Sequence, residues 1–211
     1  QAEDGIRDFC LSRGLGDVYK RQVIKDYAEQ YYQHVKAFPR YISATHSLCE
    51  DIKKRKILLE NLQDEEYKDA DHPKLWKNFA LAMGADSEKI EKVKQDWFTK
   101  EMIDNFFKQA RHSYAEGLAS LYTYERQIPE IAETKIQGLK KYYGVSSKEG
   151  LEFFEAHKSA DVIHRAECEK LLDELSKNEQ EKAENASLLT ARYLWNFLSG
   201  MVSKHKLKAA A

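Results

Sequence analysis

The chain has 211 residues, a formal net charge of −1 and 42% hydrophobic residues, which fit one globular domain with a sizeable core. The near-neutral charge gives no electrostatic reason to expect nucleic acid or an anionic membrane surface as a partner. No apolar run approaches the roughly 20 residues of a membrane span. The three cysteines form no metal or redox motif, and no secretory signal is visible, so we expect a cytoplasmic protein.

Three prolines and nine glycines, among abundant Lys, Glu, Ala and Leu, predict an all-α bundle of about seven helices. Residues 1–22 hold three of the glycines, lack a helical period and resemble translated sequencing adapter. We predict a non-native or disordered segment there, a helical domain over residues 23–203 and a flexible tail over 204–211. A native N-terminal helix would then be missing from this copy.

Apolar periodicity and helix-end signals place the helices in chain order. Pro39 is expected to break or kink the helix in which it lies. Residues 87–110 are expected to form one continuous helix. Ser146 or Ser147 is expected to cap the helix that follows Gly144. The predicted ranges are 23–38, 41–69, 72–84, 87–110, 113–126, 131–143, 146–176 and 179–202.

The helix predicted over 146–176 carries His157, Asp161 and His164 at positions i, i+4 and i+7, which lie on one helix face. Burial of two imidazoles and a carboxylate without partners would destabilise the fold by roughly several kcal/mol, or the groups would lose their charges. A metal ion would accept nitrogen and oxygen lone pairs together. The alternative is a stripe that faces solvent or forms a small hydrogen-bond network.

Three further residues can join this triplet. Glu65 ends one predicted helix, His72 begins the next, and Glu125 lies on a helix rich in small residues. Each alone is typical of a surface or helix-end position. Together with the triplet they supply three carboxylates and three imidazoles from separate helices, as in di-iron carboxylate bundles. This donor set offsets most of the charge of two divalent ions and suits Fe(II) or Mn(II).

Several runs of the chain carry a family resemblance. They are YAEQYYQHVKAFPRY at 27–41, ENLQDEE at 60–66, HPKLW at 72–76, YTYERQIP at 122–129 and the His-Asp-His triplet. Over about residues 23–200 the chain resembles the heme-oxygenase-like di-metal oxidases of the TenA/PQQ-synthase superfamily. The likeness is strongest to a chlamydial branch that forms p-aminobenzoate for folate biosynthesis and is named for association with death domains.

The resemblance implies an O2-activating oxygenase that holds two iron ions, or one Fe and one Mn, with O2 as co-substrate. The implied substrate is a small molecule or a tyrosine of the protein itself, and the implied assembly is a homodimer. It also implies active-site roles for Tyr124 and Lys135. The implied metal ligands are Glu65, His72, Glu125, His157, Asp161 and His164.

Two departures from the family pattern concern tyrosines. The tyrosine that those enzymes are thought to consume belongs to a helix that should precede Val23, where the adapter-like sequence stands instead. Phe153 occupies a position where an active-site tyrosine is expected.

Other interpretations remain open at the level of sequence. Tyr124 fits a core tyrosine and Lys135 a surface lysine as well as they fit active-site roles. A metal-free TenA/PQQ-synthase-like enzyme is an alternative, although its thiaminase branch needs a nucleophilic Cys where residues 115–126 offer only Ser120. A death-domain-binding interaction protein is a third possibility.

Overall fold

The computed structural model describes residues 17–66 and 71–206, apart from the side chains of residues 17–20 and 159–162. This described part contains eight α-helices and one short 3-10 helix, and it contains no β-strand. The all-α prediction is confirmed. The helices are α1 (Asp17–Ser47), α2 (Ile52–Glu66), α3 (His72–Ala82), α4 (Trp97–His112), α5 (Tyr114–Glu125), α6 (Ile128–Tyr143), α7 (Lys148–Asp173) and α8 (Lys177–Lys204), with the 3-10 helix at Ile90–Lys92.

Helix α1 continues through Pro39, so the predicted break at that residue is wrong. A proline inside a helix removes one backbone hydrogen bond and adds a steric clash. Here Phe38, Tyr41 and Ile42 are all buried beside it, and burial of this apolar face keeps the segment helical. The actual break follows Ser47.

The helix predicted over 87–110 is interrupted, because α4 begins only at Trp97. A side chain from α1 accounts for the interruption. Gln30 donates through Nε2 to the carbonyl oxygen of Lys94 (3.0 Å) and accepts at Oε1 from the backbone N–H of Asp96 (3.0 Å). The buried Gln30 amide thus supplies hydrogen-bond partners to the backbone of this segment, and α4 begins at the residue after Asp96.

Helix α5 is the central element, and it packs against α1, α4, α7 and α8. A Cβ added at Gly117 would overlap the side chain of Thr45 on α1, so this glycine allows the two helices to approach closely. The small residues of this helix are buried, namely Ala115, Gly117, Ala119 and Ser120. The aromatic face of α1 lies against this helix and forms the middle of the core.

Parts of both predicted end segments belong to the described structure. Residues 17–22 already belong to α1, whereas residues 1–16 lie outside the described part. At the other end, Lys204 Nζ lies 2.7 Å from Asp26 Oδ2, and His205 Nε2 contacts the same oxygen at 2.7 Å. The first residues of the predicted tail are therefore held against α1. Among the described helices, none is long and apolar enough to cross a membrane.

Candidate metal centre

Glu65 and His72 meet across the connection between α2 and α3. Glu65 lies in the last turn of α2 and His72 is the first residue of α3. Asp71 accepts a hydrogen bond from the Lys74 backbone N–H (2.7 Å), which fixes the start of α3. The His72 Nδ1 atom lies 2.8 Å from Glu65 Oε1, and both side chains are buried. The helix cap thus directs an imidazole onto a buried carboxylate.

His157 of α7 completes a group of three. Its ring centroid lies 4.1 Å from that of His72. The Nδ1 atom lies 2.7 Å from the carbonyl oxygen of Phe153, which can only accept, so Nδ1 carries the proton and the lone pair of the neutral ring is on Nε2. One ligand atom from each of Glu65, His72 and His157 lies within 4.8 Å of the others. This arrangement is able to hold a metal ion.

Electrostatics within the cluster favours the ionised carboxylate. Burial raises the pKa of Glu65, but the electrostatic interaction and hydrogen bond with His72 oppose it, and the electrostatic influence of His157 and His164 adds to that opposition. The pKa of Glu65 consequently lies below its usual value. A buried anion surrounded by imidazoles is a suitable environment for a divalent cation.

His164 is buried next to this group, but its visible partner is a residue that the sequence analysis missed. Its Nε2 lies 3.0 Å from Oδ2 of Asp64, the residue before Glu65. This contact places the Nε2 proton toward Asp64, and the lone pair of the neutral ring then lies on Nδ1. Asp64 is one member of an acidic run, and nothing in the sequence distinguishes it from its neighbours.

Glu125 is buried on α5 and has a hydrogen-bond donor at each oxygen. Asn61 Nδ2 donates to Oε1 (2.6 Å), and the Cys168 thiol donates to Oε2 at a sulfur–oxygen distance of 3.5 Å. Burial, together with the charge of Glu125, raises the pKa of Cys168 well above its usual value and keeps the thiol protonated. Glu125 is therefore held by α2 and α7 and is not part of the three-residue group.

The sequence contained a weak signal for these two donors. Asn61 lies one helical turn before Glu65, and Cys168 lies four residues after His164, so each shares a helix face with a predicted ligand. Cys168 also lies in the hydrophobic core. Asp161 belongs to α7, and its side chain is outside the described part.

Lys135 and Tyr124 lie along one side of the aromatic core. The Lys135 ammonium donates to the hydroxyl of Tyr27 (2.6 Å) and lies 5.1 Å from the centre of that ring. Tyr124 is buried, and its ring centroid is 4.7 Å from that of Phe38. One pocket is lined by Tyr27, Tyr124 and Lys135 together with Tyr31, Gln127 and Leu194. Lys135 is thus paired with a tyrosine that sequence reasoning did not single out.

Aromatic rings connect this pocket with the cluster. Trp76 packs edge-on against Tyr27 at a centroid distance of 5.8 Å and against Phe153 at 4.7 Å. Phe153 in turn lies 4.1 Å from the His157 ring. The phenyl ring at position 153 therefore covers the imidazole and separates it from the tyrosine–lysine pair.

Comparison with known proteins identifies the family. Residues 25–195 match the model of a family described as iron-containing redox enzymes. A protein of Chlamydia muridarum named 4-aminobenzoate synthase is 40% identical over 195 residues, covering 92% of this chain and 82% of the relative. A Nitrosomonas europaea protein of the same name is 34% identical, covering 86% of this chain and 78% of the relative.

Solved structures agree on the fold. A TenA homologue from Pseudomonas syringae superposes with a TM-score of 0.79 at 16% identity, covering 96% of this chain and 86% of that one. A domain with a heme oxygenase-like fold from Shewanella denitrificans also gives 0.79, at 14% identity, covering 98% of this chain and 87% of that one. The chain therefore belongs to the iron-containing redox enzyme family and has the heme-oxygenase-like helical fold.

Proposed function

We propose that this protein is a non-heme di-metal oxidoreductase that uses O2 to form 4-aminobenzoate. The observation that carries the proposal is the convergence of Glu65, His72 and His157 from three helices. The names of the chlamydial and Nitrosomonas relatives support the product. The metal-holding residues in this proposal are Glu65, His72, Glu125, His157, Asp161 and His164.

The donor chemistry fits two iron ions or an iron–manganese pair. Carboxylate and imidazole ligands suit these metals, and three carboxylates offset three of the four positive charges of two divalent ions. The hydrogen bond from His157 Nδ1 to the Phe153 carbonyl fixes the ring orientation and leaves Nε2 for the metal. When bound, the metal pair supplies dioxygen activation, which these side chains cannot supply alone.

The pairing of Lys135 with Tyr27 supports a tyrosine-derived source for the aromatic ring. The lysine nitrogen lies 2.6 Å from the phenol oxygen. In 4-aminobenzoate the amino group stands para to the carboxylate, as the hydroxyl of tyrosine stands para to its side-chain carbon. The conversion therefore breaks the Cα–Cβ bond, oxidises Cβ to the carboxylate with O2 as the oxidant, and replaces the phenol oxygen with nitrogen from an amine donor. In our proposal Lys135 holds the phenol of Tyr27 in place, and Tyr124 lies in the same pocket.

The first experiment tests the metal requirement. Purified protein receives Fe(II), or Fe(II) with Mn(II), then a reductant and O2, and mass spectrometry measures 4-aminobenzoate. His157→Ala should lose bound metal and lower product formation at least about 100-fold, because removal of a ligand is more disruptive than the roughly 10- to 100-fold losses typical of residues that only orient ligands. His112→Ala is the matched control, since His112 is an exposed histidine of α4 and should behave like the unsubstituted chain.

Two outcomes would contradict the metal-dependent function. Product that forms at the same rate after chelation would favour the metal-free TenA/PQQ-synthase-like alternative. The structure gives no support for Ser120 as the nucleophile of a thiaminase-type enzyme. Its buried hydroxyl donates a hydrogen bond to the Glu116 carbonyl oxygen (3.0 Å) and shares another with the Thr190 hydroxyl (3.0 Å). An unsubstituted chain that retains neither metal would also contradict the proposal.

The second experiment tests the tyrosine source. Protein made with ring-labelled tyrosine and assayed without added tyrosine should release labelled 4-aminobenzoate. Tyr27→Phe should lose product while it keeps its metals, because only the hydroxyl that faces Lys135 is removed. Tyr142→Phe, at the end of α6, is the control and should keep full product formation. Unlabelled product would show that the ring comes from a separate small molecule.

A further inference from the structure

His34 is a buried polar residue that the proposed reaction does not yet use. It lies on the inner face of α1 with 0% of its surface exposed, and neither ring nitrogen has a hydrogen-bond partner among the described residues. Aromatic rings surround it, with centroid distances of 4.8 Å to Phe106, 5.2 Å to Tyr124 and 5.2 Å to Tyr31. An apolar side chain of similar size would avoid the desolvation cost of two unpaired nitrogens.

The imidazole is electrically neutral in this environment. Burial lowers the pKa of His34 to about 3, and the charge of Glu65 opposes that shift only in part. A neutral ring offers one N–H donor and one lone pair. It can therefore bind a small neutral molecule that both donates and accepts hydrogen bonds.

A second unpaired group lies on the neighbouring helix. Asn61 is buried on α2, its Nδ2 is engaged by Glu125, and its Oδ1 has no partner in the described part of the chain. Asn61 precedes Glu65 by one helical turn, so the two side chains share the inner face of α2. Helix α1 packs directly against α2. Buried waters typically make about three hydrogen bonds to such otherwise unsatisfied groups.

We propose that His34 and Asn61 hold a buried water molecule beside Glu65 and Glu125, and that His34 acts through this water as a positioning residue of the metal centre. The inference rests on the proposed function for its catalytic consequence. The water joins α1 to α2, and through Asn61 it bears on Glu125. It explains why an imidazole, with both a donor and an acceptor, occupies a position otherwise surrounded by aromatic rings.

The test compares two substitutions at one position. His34→Leu removes both hydrogen-bonding nitrogens at similar size, so 4-aminobenzoate formation should fall about 10- to 100-fold, as for other residues that orient metal ligands, while Tm is unchanged or raised. His34→Gln keeps a donor and an acceptor and should recover activity to within about tenfold of the unsubstituted chain. Phe106→Leu is the packing control, which should lower Tm but keep activity per metal-loaded molecule.

A crystal structure of the unsubstituted protein supplies a readout that needs no activity. Density for a water within about 3.2 Å of a His34 nitrogen and of Asn61 Oδ1 is expected. Absence of that water would overturn the inference, as would equal activities of the Leu and Gln variants, or a Tm loss in His34→Leu as large as in Phe106→Leu. If the unsubstituted chain forms no 4-aminobenzoate, the proposed function fails, while the density and the Tm comparison still decide whether the water site exists.

Discussion

At the scale of single residues, the carboxylate of Glu125 shows how the interior holds an acidic group in one orientation. The donors Asn61 and Cys168 come from two different helices, α2 and α7, and each engages one oxygen. A carboxylate oxygen has two lone pairs, so an oxygen that accepts a hydrogen bond is still able to bind a metal. The two donors thus orient Glu125 and still permit its predicted role as a ligand.

Asn61→Leu tests this arrangement. The substitution removes the donor to Glu125 and replaces it with a larger apolar side chain that branches at the same carbon, so we expect a loss of about 1–3 kcal/mol in the free energy of unfolding, because a buried acceptor loses its partner. Metal affinity should fall about 10- to 100-fold, as for other residues that orient ligands. Urea unfolding and metal titration measure the two effects.

A matched control for Asn61 exists on α4. Asn105 is also buried, and its Nδ2 lies 3.3 Å from the hydroxyl of Thr190 on α8, among residues that take no part in the cluster. Asn105→Leu should therefore reduce stability without changing metal affinity. Equal metal affinities for Asn61→Leu and Asn105→Leu would show that the bond to Glu125 has no role in metal binding.

At the scale of elements, the close contact between α1 and α5 depends on Gly117. A methyl group at this position would overlap the Thr45 side chain, and the backbone of Ala110 leaves little room on the other side. Overpacking of this kind displaces helices that are already in contact. The aromatic face of α1 would move with them, since Thr45 lies at the end of that face.

We expect Gly117→Ala to lower the free energy of unfolding by about 1–3 kcal/mol through overpacking. Thr45→Ala in the same chain should restore part of the loss, because it removes the side-chain atoms with which the new methyl group collides. Chemical unfolding of the two single variants and the double variant gives the coupling between them. Strictly additive losses would mean that the two residues do not restrict each other.

At the scale of the whole molecule, Glu91 connects the 3-10 helix to both α1 and α3. Tyr32 donates to it at 2.6 Å, and Lys36 and Lys77 lie 3.0 Å and 3.1 Å from its oxygens. The hydrogen bond from Tyr32 is the largest cause that lowers the pKa of Glu91 from 4.5 to about 2; burial opposes it, and both lysines assist. The contact fixes the segment between α3 and α4 onto the bundle.

The sign of the pH dependence follows from the lowered pKa of Glu91. The folded state favours the carboxylate, so its contribution to stability is fully present above about pH 4.5 and is lost as pH falls toward 2. Thermal unfolding from pH 7 to pH 2.5 should show Glu91→Gln less stable than the unsubstituted chain at pH 7, with the difference shrinking below pH 4.5. Glu88→Gln, at an exposed neighbouring position, is the control. A difference at pH 2.5 as large as that at pH 7 would contradict this explanation.

The sequence alone determined the helical class and several helix ends, because these depend on local chemistry. Gly144 ends α6 in the left-handed conformation, and Ser147 and Ser176 cap the two helices that follow. The spacing of His157 and His164 also predicted that both lie on one helix face, and the structure shows that this face is buried at both positions. A local pattern suffices where the partners of a group lie within one or two turns of the same helix.

The tertiary structure decided the features that depend on residues far apart in the chain. It kept Pro39 inside a helix, because burial of the neighbouring apolar side chains outweighs one lost hydrogen bond. It joined Asn61 to Glu125 and Lys135 to Tyr27, and it left His34 buried among aromatic rings. No local pattern specifies these pairs, since each results from how whole helices pack, and packing energies exceed the small differences in helix propensity that a sequence displays.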